Sequence, residues 1–237
     1  MRNGQRGPCL VLHGILRRLP GLAARTGWLA LLVFAPLAPA GGSEELPAPE
    51  RHQVAQGDLV VKTREVEGYP WPEVTVYRQV AASPEEVMAV YADFESQADY
   101  LPNLVYSRIV ERLARNSFQV SYEYEVTGPN ERYTVLVVVR RSGDAWQTTW
   151  DLVKARYARR LSGQMKVAAF EAGTLLEYTN RVDPGFFGVH LGSPETTVRQ
   201  LRATVQALTI HVERLRVEHP ERLQAAVRAL RAMLGEP

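Results

Sequence analysis

Apolar residues recur along this chain with two periods. Late in the sequence the period is helical: Val198, Leu201, Val205, Leu208, Val212 and Leu215 follow one another at steps of three and four, which gathers them into one stripe along an α-helix. The stretch opens with Ser193-Pro194-Glu195. A hydroxyl there caps the free N–H groups, the proline's fixed φ suits the first turn, and the carboxylate meets the helix dipole. A helix of roughly 25 residues is predicted over Ser193 to Val217. Arg199, Arg202, Glu213, Arg214 and Arg216 fall away from its stripe. A shorter helix opens at Pro220, carries Leu223, Val227, Leu230 and Leu234 on one side, and stops at Gly235.

Between about Leu104 and Val182 the period is two. Phe118, Val120, Tyr122, Tyr124 and Val126 alternate with Gln119, Ser121, Glu123 and Glu125, the pattern of a strand with one buried face. Strands are also expected over Leu104–Arg112, Tyr133–Val139, Trp146–Leu152, Ser162–Ala169 and Leu175–Val182. Arg115-Asn116, Gly128-Pro129-Asn130, Ser142-Gly143-Asp144 and Glu171-Ala172-Gly173 make the turns. Tyr133–Val139 is apolar on both faces and reads as a central or doubly covered strand. Upstream lie candidate strands Asp58–Arg64 and Glu73–Val80, then a helix start at Ser83-Pro84-Glu85-Glu86, where Glu86 completes a capping box. That helix carries Val87, Met88, Val90, Tyr91 and Phe94 and breaks up through Asp99-Tyr100-Leu101-Pro102. No strand–helix–strand alternation occurs, so a doubly wound parallel sheet is excluded. The class is α+β: a curved antiparallel sheet wrapped around one long C-terminal helix.

The first forty residues differ from the rest. They hold Arg2, Arg6, Arg17, Arg18 and Arg25 without an acid, then an apolar run Trp28–Leu37 ending in Ala38-Pro39-Ala40. This is the layout of a secretory signal peptide over 1–40, and the run is shorter than the ~20 residues a membrane span needs. Export to a periplasm or to the outside is the expected address. Removing those five arginines from the 28 basic residues leaves 23 against 26 acidic, a formal charge of −3. A mildly acidic mature chain with no basic run gives no reason to expect a nucleic-acid partner. The single cysteine, Cys9, precedes the apolar run, so neither disulfides nor a cysteine zinc site can form in the mature part. Residues 41–57, small, acidic and proline-containing, read as a flexible tether. The sheet-and-helix domain then spans 58–218 and a C-terminal extension helix 219–237.

Val74-Thr75-Val76-Tyr77-Arg78-Gln79-Val80-Ala81-Ala82-Ser83-Pro84-Glu85-Glu86-Val87 resembles the first strand and strand-to-helix junction of the START / Bet v 1-like (SRPBCC) superfamily. Asp93-Phe94 with Tyr100-Leu101-Pro102 is similar to its second-helix segment, with Tyr100 where a tryptophan is common. The lead-in Leu59–Gly68 resembles the START branch more than the shorter cyclases. The resemblance covers about 58–218. It implies the helix-grip fold, with two short helices after the first family strand and a cavity between the long helix and the concave sheet face. It further implies an apolar small-molecule partner (a lipid, sterol or hopanoid, fatty acid or polyketide); no cofactor is expected.

On that reading Tyr122, Tyr124, Tyr133, Trp146, Trp150 and Tyr178 supply broad apolar walls with a few polar tips. Val135, Val137 and Met165 lie among them, and Asn180 is a polar group aimed inward. Leu201, Val205 and Leu208 of the long helix form the opposite wall. The alternative for the rings is a solid core packed on that helix. Phe186 and Phe187, between Gly185 and Gly188, sit on a hinge-like loop that would gate the cavity or touch a membrane transiently. Catalytic chemistry has thin support. His52, His190, His211 and His219 have no nucleophile or metal-binding setting, and no convergent metal ligands can be assembled. An exported carrier of an apolar molecule is the expectation. A cyclase/aromatase-like enzyme using a tyrosine or His190 is the second reading. A ligand-free interaction module presenting the Leu223/Val227/Leu230/Leu234 stripe is the third.

Overall fold

The computed structural model describes residues 46–126 and 128–236, apart from the side chains of Phe187, His190 and Leu191. The expected signal peptide and the start of the tether lie outside the described residues. In chain order the elements are α1 (Ala48–Ala55), β1 (Val60–Arg64), β2 (Glu73–Val80), α2 (Pro84–Ala92), a 3₁₀ turn (Phe94–Asp99), β3 (Leu104–Ala114) and β4 (Ser117–Tyr124). They continue with β5 (Glu131–Ser142), β6 (Ala145–Ala155), β7 (Arg160–Phe170), β8 (Gly173–Asp183), α3 (Gly185–Leu191), α4 (Pro194–Glu218) and α5 (Pro220–Leu234).

The eight strands form one curved, unclosed antiparallel sheet in the order β1-β2-β8-β7-β6-β5-β4-β3. Successive hairpins build it from β3 to β8, and β2 then pairs with β8 to bring the amino-terminal strands to the far edge. Alternation decides which side chains meet. Phe118, Val120, Val135, Val137, Val139, Met165, Val167 and Leu176 are buried on the concave side, each contributing about 1.5–3 kcal/mol of apolar burial. β5 lies inside the sheet as its two-sided pattern predicts, with Leu136 and Val138 half-buried on the outer face.

The concave face is filled by two layers of helix. α2 is buried over Val87–Ala92, and Met88 accepts a contact from the Thr148 hydroxyl of β6. Its start has the predicted box: Ser83 Oγ accepts from Glu86 N and the Glu86 carboxylate accepts from Ser83 N at 2.8 Å. α4 buries Leu201, Val205, Leu208, Val212 and Leu215. It is tied to the β2–α2 junction through Ala81, whose N–H donates to Glu213 and whose carbonyl accepts from Arg216.

Three expectations are corrected. The tether does not extend to 57: from Leu46 the chain packs, and Leu46 together with Val54 of α1 is buried against Tyr77 and Phe170 on the sheet's outer face. Two apolar anchors eight positions apart carry no detectable period, so this helix has no signature in the local pattern. The Phe186-Phe187 stretch is α3, one short helix, rather than a loop. Finally, the α5 stripe is internal. Leu223, Val227 and Leu230 are buried in the same core as α2 and α4, and Arg231 clasps Glu85 of α2 with two 2.7 Å hydrogen bonds. The stripe offered by the interaction-module reading is therefore covered within one chain.

Candidate functional site

A cavity of about 50 Å³ lies under the concave face, walled by Tyr122 and Tyr124 of β4, Tyr133, Val135 and Val137 of β5, Trp150 of β6, Leu161 of β7, and Tyr178 and Asn180 of β8. Tyr91 of α2, Gln97 of the 3₁₀ turn and Leu101 close it from the helical side. Register explains the grouping. Val137 faces Trp150, Trp150 faces Gly163, and Gly163 faces Asn180, so one row crosses four strands. Gly163 leaves a gap in that row, the indole lies across it, and its N–H points to Asn180 Oδ1 at 3.4 Å.

The rings form a continuous cluster. Tyr124 and Tyr133 stack at 5.9 Å, Tyr122 lies 5.5 Å from Tyr133, and Trp150 lies 5.0 Å from Tyr178. Tyr91 meets Tyr178 edge-on at 6.2 Å. Gln97 is buried and spends its amide N–H on the Tyr91 carbonyl at 2.7 Å, which fixes the 3₁₀ turn against α2. Ser107 makes the matching contact to the Phe94 carbonyl.

Burial pushes all five phenols of the cavity upward in pKa, Tyr124 to about 12 and the other four further in the same direction; neighbouring phenols reinforce the shift for Tyr91, Tyr122, Tyr133 and Tyr178. The charged form is disfavoured because the surrounding apolar side chains cannot replace the solvation a phenolate has in water. At neutral pH the site is a set of neutral hydroxyls that can donate to an oxygen acceptor, and no phenolate is at hand to act as a base. The linkage has a definite sign. Unfolded phenols lose protons near pH 10, folded ones hold them higher, so stability contributed by these groups is complete below pH ~10 and falls as pH rises beyond it. An alkaline titration followed by ultraviolet phenolate absorbance is expected to show the buried set ionising together with loss of near-ultraviolet circular dichroism. Smooth titration of all tyrosines near pH ~10 with the fold intact would contradict the buried site.

The structure brings eight of the thirteen sequence candidates to the cavity wall: Tyr122, Tyr124, Tyr133, Val135, Val137, Trp150, Tyr178 and Asn180. Trp146, Met165, Leu201, Val205 and Leu208 are buried in the surrounding core and do not line it. None of the lining residues comes from α4, because α2 lies between that helix and much of the sheet. Tyr91, Gln97, Leu101 and Leu161 were not anticipated. Tyr91 reads in sequence as one more member of an apolar stripe, and nothing local says that its phenol ends in a cavity. Phe186 is 73% exposed, and the Phe187 side chain is outside the described residues. His211 stacks on Tyr100 at 4.2 Å, away from the lining, its pKa lowered by burial and by Arg214. Among the described residues no cluster of His, Cys, Asp or Glu could hold a metal ion, and no helix is long and apolar enough to cross a membrane.

Comparison with known proteins bears on the fold and on the family. The family profile described as "Polyketide cyclase / dehydrase and lipid transport" matches residues 72–216. No curated protein matches the sequence. Among solved structures the chain is similar to a STAR-related lipid transfer protein from Xanthomonas axonopodis, at 19% identity and a TM-score of 0.57, over 65% of this chain and 93% of that one. It is also similar to the human StAR-related lipid transfer protein 5, at 13% identity and a TM-score of 0.53, over 68% and 84% of the two chains. At such identities the likeness establishes a shared START-type helix-grip fold.

Proposed function

This chain belongs to the polyketide cyclase / dehydrase and lipid transport family, and from that premise we propose that it is an exported protein that binds and carries an apolar small molecule bearing an oxygen acceptor. The observation that carries the reading is the cavity itself: Val135, Val137, Leu161 and the faces of six aromatic rings supply apolar wall, with phenol and amide tips at few points. Burial of hydrocarbon would provide the affinity, about 25 cal/mol per Å² removed from water, and the hydroxyls of Tyr124 and Tyr178 would orient the ligand. A sterol or hopanoid, a fatty acid or a polyketide has the required chemistry.

At about 50 Å³ the cavity is far below the ~300–1,000 Å³ of drug-sized ligand sites. Loading therefore requires expansion. The sheet walls are held by ladders on both sides, whereas Tyr91, Gln97 and Leu101 belong to a short helix, a 3₁₀ turn and the bend after it. Outward movement of that segment is the least expensive way to enlarge the site. The arginine-rich leader 1–40 is the basis for proposing export, with a periplasm or the exterior as destination; N-terminal sequencing of the secreted or periplasmic protein checks it.

The second reading is a cyclase-like enzyme, which the family also contains. The phenol cluster supports it to the extent that neutral hydroxyls can donate to an enolate oxygen. Their raised pKa values speak against proton abstraction by tyrosine. Native mass spectrometry of exported protein, followed by solvent extraction, separates the possibilities. A released lipid mass is expected. A bare polypeptide that also takes up no fluorescent fatty acid or sterol from solution would sink the carrier reading. Turnover of a polyketide lost in Tyr178→Phe with binding retained would favour the enzyme.

A further inference from the structure

A second, open cleft of about 820 Å³, larger than the inner cavity, is lined in part by Tyr69, Arg159, Arg160, Asp183, Phe186 and Val189. It lies at the end of the sheet where β6 passes to β7, β8 passes to α3, and the β1–β2 turn comes alongside. The cavity residues Leu161 and Asn180 sit one and three positions inboard on the same two strands.

Its chemistry is of two kinds side by side. The connection from Lys154 to Arg160 holds Lys154, Arg156, Arg159 and Arg160 without an acid, all four exposed. Of these, Arg159 and Arg160 line the cleft together with Phe186 of α3, 73% exposed, and Val189, 44% exposed, while Arg156 donates to the Asn130 carbonyl. The juxtaposition is built in. Gly185 has φ 70° and lies so close to the Tyr157 carbonyl and the Arg159 side chain that a Cβ there would meet them at 2.5 and 3.1 Å. Arg159 N donates to the Asp183 carbonyl at 2.8 Å. The acids nearby are engaged: Asp183 is paired with Arg160 at 3.1 Å, and Glu131 is half-buried, accepting from the N–H groups of Arg156 and Tyr157. Glu67 stands in the β1–β2 turn. Arg160 lies over the Tyr69 ring at 3.9 Å and Arg181 at 5.5 Å, which ties that turn to the cleft.

Exposed apolar side chains next to clustered arginines match an anionic lipid surface: the apolar groups enter the head-group region and the guanidinium groups meet phosphates. We propose that this end of the sheet is a docking surface for an anionic bilayer, with Phe186 and Val189 entering the head-group layer and Arg159 contacting lipid phosphates. The proposal stands whatever fills the inner cavity.

Vesicle flotation tests it, using protein from Gly41 onward and phosphatidylcholine vesicles with and without phosphatidylglycerol, at low and high salt. Binding is expected on the anionic vesicles, weak on the neutral ones, and reduced by salt. Arg159→Glu should weaken it about fivefold or more and Phe186→Ser about tenfold. Both positions are exposed, and circular dichroism verifies that the variants fold. Val217→Ser, at an 81% exposed site on α4, should bind as the parent does. Equal binding to neutral and anionic vesicles, or variants that float as the parent does, overturns the proposal. So does displacement by glycerol phosphate at concentrations too low to screen charge, which would make the cleft a site for a small free anion. Uptake of a soluble fluorescent fatty acid without vesicles reports on the inner cavity alone, so the two readings fail separately.

Discussion

Leu230→Asp is expected to leave no folded domain at room temperature, rather than to split a dimer into folded monomers. Leu230 is 1% exposed, as is Leu223, and Val227 is 6% exposed. All three are packed in the core that α5 shares with α2 and α4. A carboxylate placed there has no cation among the core side chains and loses its water, a penalty of several kcal/mol even after relaxation. Domains of this size have about 5–15 kcal/mol in total. The milder Leu230→Ala should cost about 2–5 kcal/mol through the lost contacts and the space left behind. Urea titrations of both variants, with size-exclusion profiles before denaturation, make the check. If Leu230→Asp elutes as a folded monomer with the parent's urea midpoint, the stripe is a surface after all, and the interaction-module reading returns. The Arg231–Glu85 pair beside it is partly exposed and contributes little by comparison.

The elements legible in the sequence were those whose period ran long enough to beat accident. The α4 stripe, the β4 alternation and the Ser83–Glu86 box predict their elements to within a few residues, because each rests on local chemistry. What the sequence could not carry was any contact across the chain. α1 packs through two anchors whose partners, Tyr77 and Phe170, lie far along the sequence. The α5 stripe looks the same whether its cover is α2 or another molecule. The cavity shows the same division. Strand phase places Tyr122, Tyr124, Trp150, Tyr178 and Asn180 on the concave face, and five other candidates on suitable faces became solid core. Phase gives the face, whereas the position along the strand relative to α2 decides between wall and core, and that is set by tertiary packing. Arg159 and Arg160 form no motif in a near-neutral chain. Only the fold sets them beside Phe186.

The second large effect is expected from the smallest change to the cavity. Gly163→Ala adds a Cβ that would lie 2.4 Å from the Thr179 carbonyl oxygen and 2.5 and 2.6 Å from two carbons of the Trp150 indole. Neither neighbour yields easily. The carbonyl belongs to β8, held in register with β7 along its length, and the indole is packed between Tyr91 and Tyr178. The space free on that side is the cavity, so the ring moves into it and gives up Asn180. Overpacking of this kind costs about 1–3 kcal/mol, and with a backbone atom among the obstacles the upper end is expected. Ligand uptake should fall about tenfold or more, since a single displaced ring fills a site of about 50 Å³. Ser162→Ala, on the opposite face of the same strand, should change neither stability nor uptake by more than about 0.5 kcal/mol. Gly163→Ala combined with Trp150→Leu should recover part of the stability lost in the single glycine variant, a negative coupling that only a direct clash produces. Urea denaturation and fatty-acid titration of these three variants, of Trp150→Leu alone and of the parent decide the matter. Should Gly163→Ala match the parent in both, the indole does not lie over Gly163 and the row from Val137 to Asn180 is not the wall of a ligand site.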